Sequence, residues 1–185
     1  TLVGTELGAG SAGISGIFHG PMYYYFLAIP FLLLNGDPYG GVVMMFLFSI
    51  ATVIFSYVLG RALFGNIFGL LVALFVAASP PFISQARFLW SPNLPSLFIL
   101  LAFYCVFRMK EKRFLYIFWA AFFSAFTYNF EFAIAVPMSI GLFLYTFFIV
   151  KLRDVKQYAA LFLGFLAGFL PMILFEVRHG FMALR

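Results

Sequence analysis

The sequence predicts an all-α fold: a polytopic transmembrane helix bundle of about six spans, with one further juxtamembrane or re-entrant helix. Three observations carry this expectation. Hydrophobic residues make up 65% of the chain and aromatic residues 22%, while charged residues are only 9%; soluble domains carry about 25% charged residues. Apolar runs recur along the whole chain, parted by short turns rich in Gly, Pro, Asn and basic residues. The Lys and Arg residues gather in a few of those turns, so the net charge of +5 is a topology signal and not a nucleic-acid footprint.

Residues 1–20 read as an outer loop, because the run TLVGTELGAGSAGISGI is small, Gly-rich and carries one charge, Glu6. The chain opens on Thr1 with no signal-peptide pattern and closes on Arg185 straight after a helix exit. Both ends are therefore expected to be cut from a longer protein. Residues 21–34 are expected to form the juxtamembrane helix. Pro21 suits a first turn, Pro30 interrupts the run, and Tyr23, Tyr24 and Tyr25 stand where amphipathic rings prefer the headgroup level. The run is also shorter than the roughly 20 residues a spanning helix needs. After the turn Asn35-Gly36-Asp37-Pro38, transmembrane helices are expected at 39–60, 63–79, 93–108, 113–128, 131–150 and 157–176.

The longest polar interruption runs over residues 79–93. Pro80, Pro81 and Pro92 stop helices on both sides of it, since proline lacks an N–H and fixes φ. Arg87 is the only cation among Ser84, Gln85, Trp90, Ser91 and Asn93. Irregular polar backbone is tolerated at membrane depth only where it lines a cavity or meets water. The segment is therefore expected to be an interfacial loop that holds a ligand phosphate.

If residues 21–34 do not span, Arg61, Arg108, Lys110, Lys112, Arg113, Lys151, Arg153 and Lys156 share one side, eight of the 11 cations. The positive-inside rule makes that side cytoplasmic and leaves Arg87, Arg178, Arg185, Glu6 and His19 outside. Had residues 21–34 crossed, only the first loop would change sides. Cys105 is the lone cysteine, so neither an internal disulfide nor a cysteine-based metal site can form. No second His, Cys or carboxylate stands at metal-ligand spacing near His19, and neither a metal nor a cofactor is expected.

Four stretches carry a likeness to a known family: Gly16-Ile17-Phe18-His19-Gly20-Pro21-Met22-Tyr23-Tyr24-Tyr25; Leu63-Phe64-Gly65 before a small-residue helix; Ala78-Ser79-Pro80 with Arg87-Phe88-Leu89-Trp90-Ser91-Pro92-Asn93; and Glu176-Val177-Arg178-His179-Gly180-Phe181. In order and spacing the chain resembles the membrane domain of polyprenyl-phosphate-sugar-dependent glycosyltransferases of the GT-C superfamily, the relatives of protein O-mannosyltransferases and aminoarabinose transferases. The resemblance implies a sugar moved with inversion from a polyprenyl-phosphate donor to an acceptor hydroxyl, on the outer face of a prokaryotic plasma (inner) membrane. It implies as partners the lipid-linked donor, membrane lipid and an acceptor glycan, lipid or protein, with no nucleic acid.

In such enzymes an acidic residue deprotonates the acceptor while cations hold the leaving phosphate. The resemblance places that acidic motif upstream of Thr1; Glu6, the only carboxylate in the first loop, is a candidate base or an ordinary solvated charge. The substrate-binding candidates are His19, Arg87, Ser91, Asn93, Tyr23, Trp90, Arg178 and His179. Each has a plainer alternative. His19 can orient its loop, Arg87 can snorkel to headgroups, Asn93 can cap a helix, and Arg178 with His179 can be an interfacial helix end. Glu131, between two spans, is either a functional ionisable group or a turn residue. Two other functions stay open: a transporter or flippase for a lipid-linked substrate, suited by small-residue helices and mid-span prolines, and a non-catalytic membrane subunit.

Overall fold

The computed structural model describes residues 20–109 and 114–178. They form eight α-helices: α1 (Met22–Leu33), α2 (Tyr39–Phe64), α3 (Asn66–Ala78), the short α4 (Pro80–Gln85), α5 (Pro95–Arg108), α6 (Phe114–Phe126), α7 (Phe132–Tyr145) and α8 (Val155–Arg178). No strand occurs among the described residues. The structure is a helical membrane bundle. Tyr39–Phe64, Ser91–Arg108, Phe132–Val150 and Val155–Arg178 are long and apolar enough to cross a bilayer. Asn66–Ala78 and Phe114–Asn129, both expected as spans, are shorter apolar helices. Thirteen residues of α3 reach about 20 Å at 1.5 Å per residue, against a hydrocarbon core of about 30 Å.

Local chemistry explains where the helices stop. Helix α2 runs through Gly60 and Arg61 to Phe64; Gly60 does not end it, because Gly60 lies against Gly69 of α3, where a Cβ would sit 3.1 Å from the Gly69 Cα. The reversal comes at Gly65 instead, whose φ of 93° is a conformation that favours glycine. Ser79 is extended, as residues before proline prefer, and Pro80 and Pro81 then open α4 in its first turn. Helix α7 widens into a π turn at Thr146–Val150, and the chain turns at Lys151 with φ 52°.

Helix directions follow from the contacts. Gly164 and Gly168 of α8 meet Phe118 to Phe126 of α6 in rising order, so α6 and α8 run parallel, with α7 returning between them. Phe98, near the start of α5, meets Phe123 and Phe126, near the end of α6, so α5 and α6 are antiparallel. The starts of α2 and α5 therefore share one end of the bundle with the ends of α6 and α8. At the opposite end lie the α2–α3 turn, the end of α5, the start of α6 and the segment joining α7 to α8. That end carries Arg61, Arg108, Lys151, Arg153 and Lys156 among the described residues.

Two apolar clusters fill the interior. One, near the cation-rich end, gathers Cys105, Met109, Ile117, Ala120, Ala121, Leu142 and Leu161. The other gathers Met44, Met45, Leu94, Phe98, Phe126 and Phe130, and helix α1 is packed onto it through Met22, Tyr23, Phe26 and Leu27. Phe130 stacks on Phe98 at 5.1 Å and on Phe26 at 5.8 Å between ring centroids. Offset ring pairs of this kind add about 0.5–1.5 kcal/mol beyond the area they bury. Helix α1, 12 residues long, thus touches the other helices toward the end opposite the cations.

Candidate functional site

The polar loop after α4 is tied by one side chain. Asn93, in the 3-10 turn Ser91–Asn93, donates through Nδ2 to the Phe88 carbonyl at 3.0 Å and to the Gln85 carbonyl at 3.5 Å. It makes no helix cap; its amide holds the loop closed over Arg87. Behind the loop, Ser49, Thr52, Gln85, Asn93 and Ser96 border a cavity of about 10 Å³, room for roughly one water. Arg87 itself is exposed; its backbone N–H donates to the Ser84 carbonyl at 3.1 Å, and its guanidinium has no hydrogen bond or ion pair among the described residues. Trp90 is 56% and Phe88 60% exposed, their rings edge to face at 6.2 Å. Ser91 is half-buried. Leu89 is 40% exposed but its side chain reaches α2: a Cβ on Gly41 would meet it at 2.7 Å and Leu27 of α1 at 2.9 Å.

A larger space opens between the start of α1 and the end of α8. Pro21, Met22, Tyr25, Leu170, Pro171, Leu174, Phe175 and Arg178 line a cleft of about 370 Å³. Its wall is apolar apart from the Tyr25 hydroxyl and the Arg178 guanidinium. Pro21 and Pro171 give it rigid edges, since both fix φ. An apolar trough with one cation suits a ligand with a hydrocarbon tail and an anionic head, and a guanidinium offers phosphate a two-pronged contact.

Between these two places stands Tyr23. It is half-buried against the phenylalanine cluster and meets Tyr24 edge to face at 5.4 Å. Burial, with the neighbouring Tyr24, pushes its hydroxyl above the usual tyrosine range. Glu131 accepts from the Ala133 N–H at 3.3 Å and so caps α7.

Beneath α1 lies Asn129, which the sequence shows only as a neighbour of Glu131. It is 1% exposed, in the 3-10 turn Thr127–Asn129. Its Nδ2 donates to the carbonyls of Phe126 at 3.1 Å and Gly168 at 3.4 Å. In the sequence it is a single amide at an apolar helix end, and the glycine that leaves room for it, Gly20, lies more than 100 residues away.

The structure thus separates the expected site residues into two groups. Arg87, Trp90, Ser91 and Asn93 share the loop after α4, Arg178 lines the α1–α8 cleft, and α1 runs from one to the other. Glu6, His19 and His179 lie outside the described residues. No three His, Cys, Asp or Glu side chains gather as a metal site among the described residues.

Residues 18–175 match the family model described as dolichyl-phosphate-mannose-protein mannosyltransferase. No curated protein matches the chain. No solved structure matches it either.

Proposed function

The chain belongs to the dolichyl-phosphate-mannose-protein mannosyltransferase family, and from that premise we propose that it moves a sugar from a polyprenyl-phosphate donor to an acceptor hydroxyl. It is an integral membrane glycosyltransferase of the GT-C type. The observation that carries the donor reading is the α1–α8 cleft, with its apolar wall and Arg178. The first isoprene units rest on Met22, Leu170, Leu174 and Phe175, and Arg178 binds the phosphate. Arg87, exposed on its loop, is the second cation of the same face. His19 and His179 adjoin in sequence the residues that line the cleft, and are assigned to the sugar together with Tyr23. Trp90, Ser91 and Asn93 belong to the loop that borders the acceptor side.

The reaction is a displacement. The acceptor oxygen attacks the anomeric carbon opposite the phosphate, giving inversion. The bond from that carbon to the phosphate oxygen breaks, and the acceptor's proton passes to a carboxylate. That base is assigned to the acidic loop the resemblance places ahead of Thr1, with Glu6 the alternative within this chain. Charge grows on the departing phosphate, so a fixed cation stabilises the transition state more than the ground state.

We place the α1 end outside a prokaryotic inner membrane and the cation-rich end in the cytoplasm, as the positive-inside rule directs. A cysteine at position 154, in a Cys105→Ala background, should then resist an impermeant maleimide in intact cells, while one at position 87 reacts. The activity is tested by sugar transfer from a synthetic polyprenyl-phosphate donor, using the intact protein in nanodiscs. Turnover that ignores the lipid phosphate, or an Arg178→Ala variant with full rate, would remove the donor from this cleft.

A further inference from the structure

Asn129 sits where the two walls of the cleft come closest to a shared partner. Its Nδ2 is committed on the α8 side, to the Gly168 carbonyl, and to the Phe126 carbonyl of its own helix end. Those two bonds fix the plane of the amide. Its Oδ1 is buried and has no hydrogen-bond partner among the described residues. That oxygen is aimed at Gly20, the residue before Pro21. A Cβ placed on Gly20 would overlap it and would stand 2.6 Å from the Asn129 Cγ and 2.9 Å from its Cα. Proline has no N–H, so Pro21 supplies no main-chain donor at this junction. An unmet buried acceptor is costly, and here the amide is in close contact with the backbone that leads into α1.

We propose that Asn129 is a positioning residue for the donor site: one buried amide, bonded to α8 at Gly168 and seated against Gly20, sets the separation of the α1 and α8 walls. It acts through Gly20 on Pro21, Met22 and Tyr25, and through Gly168 on the turns of α8 that carry Leu170 to Arg178. Gly20 is then a size filter, because only glycine lets the backbone reach the amide. This inference rests on the donor reading of the cleft.

The test is a double-mutant cycle of Gly20→Ala and Asn129→Ala, read as KM for the lipid donor against kcat and KM for the acceptor. Gly20→Ala and Asn129→Ala should each raise the donor KM about tenfold and leave the acceptor KM unchanged. The pair should do less harm than the two single changes multiplied, because Asn129→Ala removes the two atoms nearest the new Cβ. A merely structural residue would lower thermal stability without splitting the two KM values. A second readout does not depend on the donor: bismaleimide cross-linking of Tyr25→Cys to Leu174→Cys, in a Cys105→Ala background, should fall several-fold in Asn129→Ala. Cross-linking and donor KM both unchanged in folded Asn129→Ala protein would overturn the proposal. Cross-linking that falls while Arg178→Ala keeps a normal donor KM would instead overturn the donor reading and leave the wall-spacing role standing.

Discussion

The two flanks of the bundle, on either side of α5, are each closed by a glycine seam, and they differ in what stands at their α1 end. On one flank α8 lies against α6 almost backbone to backbone. A Cβ on Gly168 would stand 2.6 Å from both the Ala125 Cβ and the Phe122 carbonyl, and Ala120, Ala121 and Ala125 have no exposed surface. On the other flank α3 packs on α2 about as closely, a Cβ on Gly69 standing 2.9 Å from the Tyr57 carbonyl, and turns Ile67, Leu70, Leu74 and Phe75 outward, each more than 60% exposed. Each flank carries one cation at the α1 end. Arg178 borders an apolar cleft and Arg87 stands on a polar loop, and both are exposed. The two cations are alike in exposure, and what sets them apart is the apolar wall that α1 and α8 place beside Arg178.

The sharpest way to break that comparison is to remove each cation in turn. Arg178→Ala should cost about 10²–10³ in the rate of transfer, the usual loss when one preorganised donor to developing negative charge is removed. Arg178→Lys should recover part of it, since an ammonium cannot make the two-pronged contact. Single-turnover transfer from the lipid donor measures both. Equal losses from Arg178→Ala and Arg87→Ala would erase the distinction between the flanks.

Next in size is the seam itself. Gly168→Ala places a methyl against Ala125 and the Phe122 carbonyl, and overpacking of this kind costs about 1–3 kcal/mol. It also strains the carbonyl that accepts from Asn129. The expected outcome is a lower melting temperature in detergent, together with a raised donor KM. A melting curve unchanged from the parent would mean that α6 and α8 are not in backbone contact.

A smaller effect is expected at Arg87. Its guanidinium is exposed like that of Arg178 but stands outside the α1–α8 cleft, and charge interactions through water are worth about 0–1 kcal/mol. Arg87→Ala should therefore slow transfer only a few-fold, and the residual effect should fade as salt is raised. A hundredfold loss that persists at high salt would show that the loop closes on the phosphate when the donor binds.

The helical bundle and its ends were legible in the sequence because apolar runs and charged turns are local properties. Pro80, Pro81 and Asn35-Gly36 mark turns whatever surrounds them. The boundary at Gly60 was not legible, because only the position of Gly69 on the next helix shows that Gly60 packs and does not terminate. The cleft escaped for a similar reason: Tyr25 and Leu174 are separated by most of the chain, and nothing in either segment announces the other. In the sequence Asn129 is one of the two residues between the spans expected at 113–128 and 131–150. Its burial becomes evident only when Gly20 is seen to leave space for the amide and the Gly168 carbonyl to accept from it.

The smallest effect marks the edge of the argument. Gly141 of α7 has no atom within 4 Å of where a Cβ would stand, and it borders a space of about 330 Å³ with Ala102, Phe103 and Pro137. In water a glycine inside a helix costs about 0.5–1 kcal/mol relative to alanine, largely through the freedom of the unfolded chain. In a bilayer that freedom is absent, because a segment with unsatisfied backbone groups stays helical whether or not the bundle is assembled. Gly141→Ala should therefore change stability by less than about 0.5 kcal/mol, as for other substitutions remote from packing. Measured beside Gly168→Ala in the same detergent, it isolates contact from helix propensity. If both glycines tolerate alanine equally, propensity governs them and the tight seam loses its special standing. If only Gly168 suffers, the backbone contact between α6 and α8 is what sets the cost.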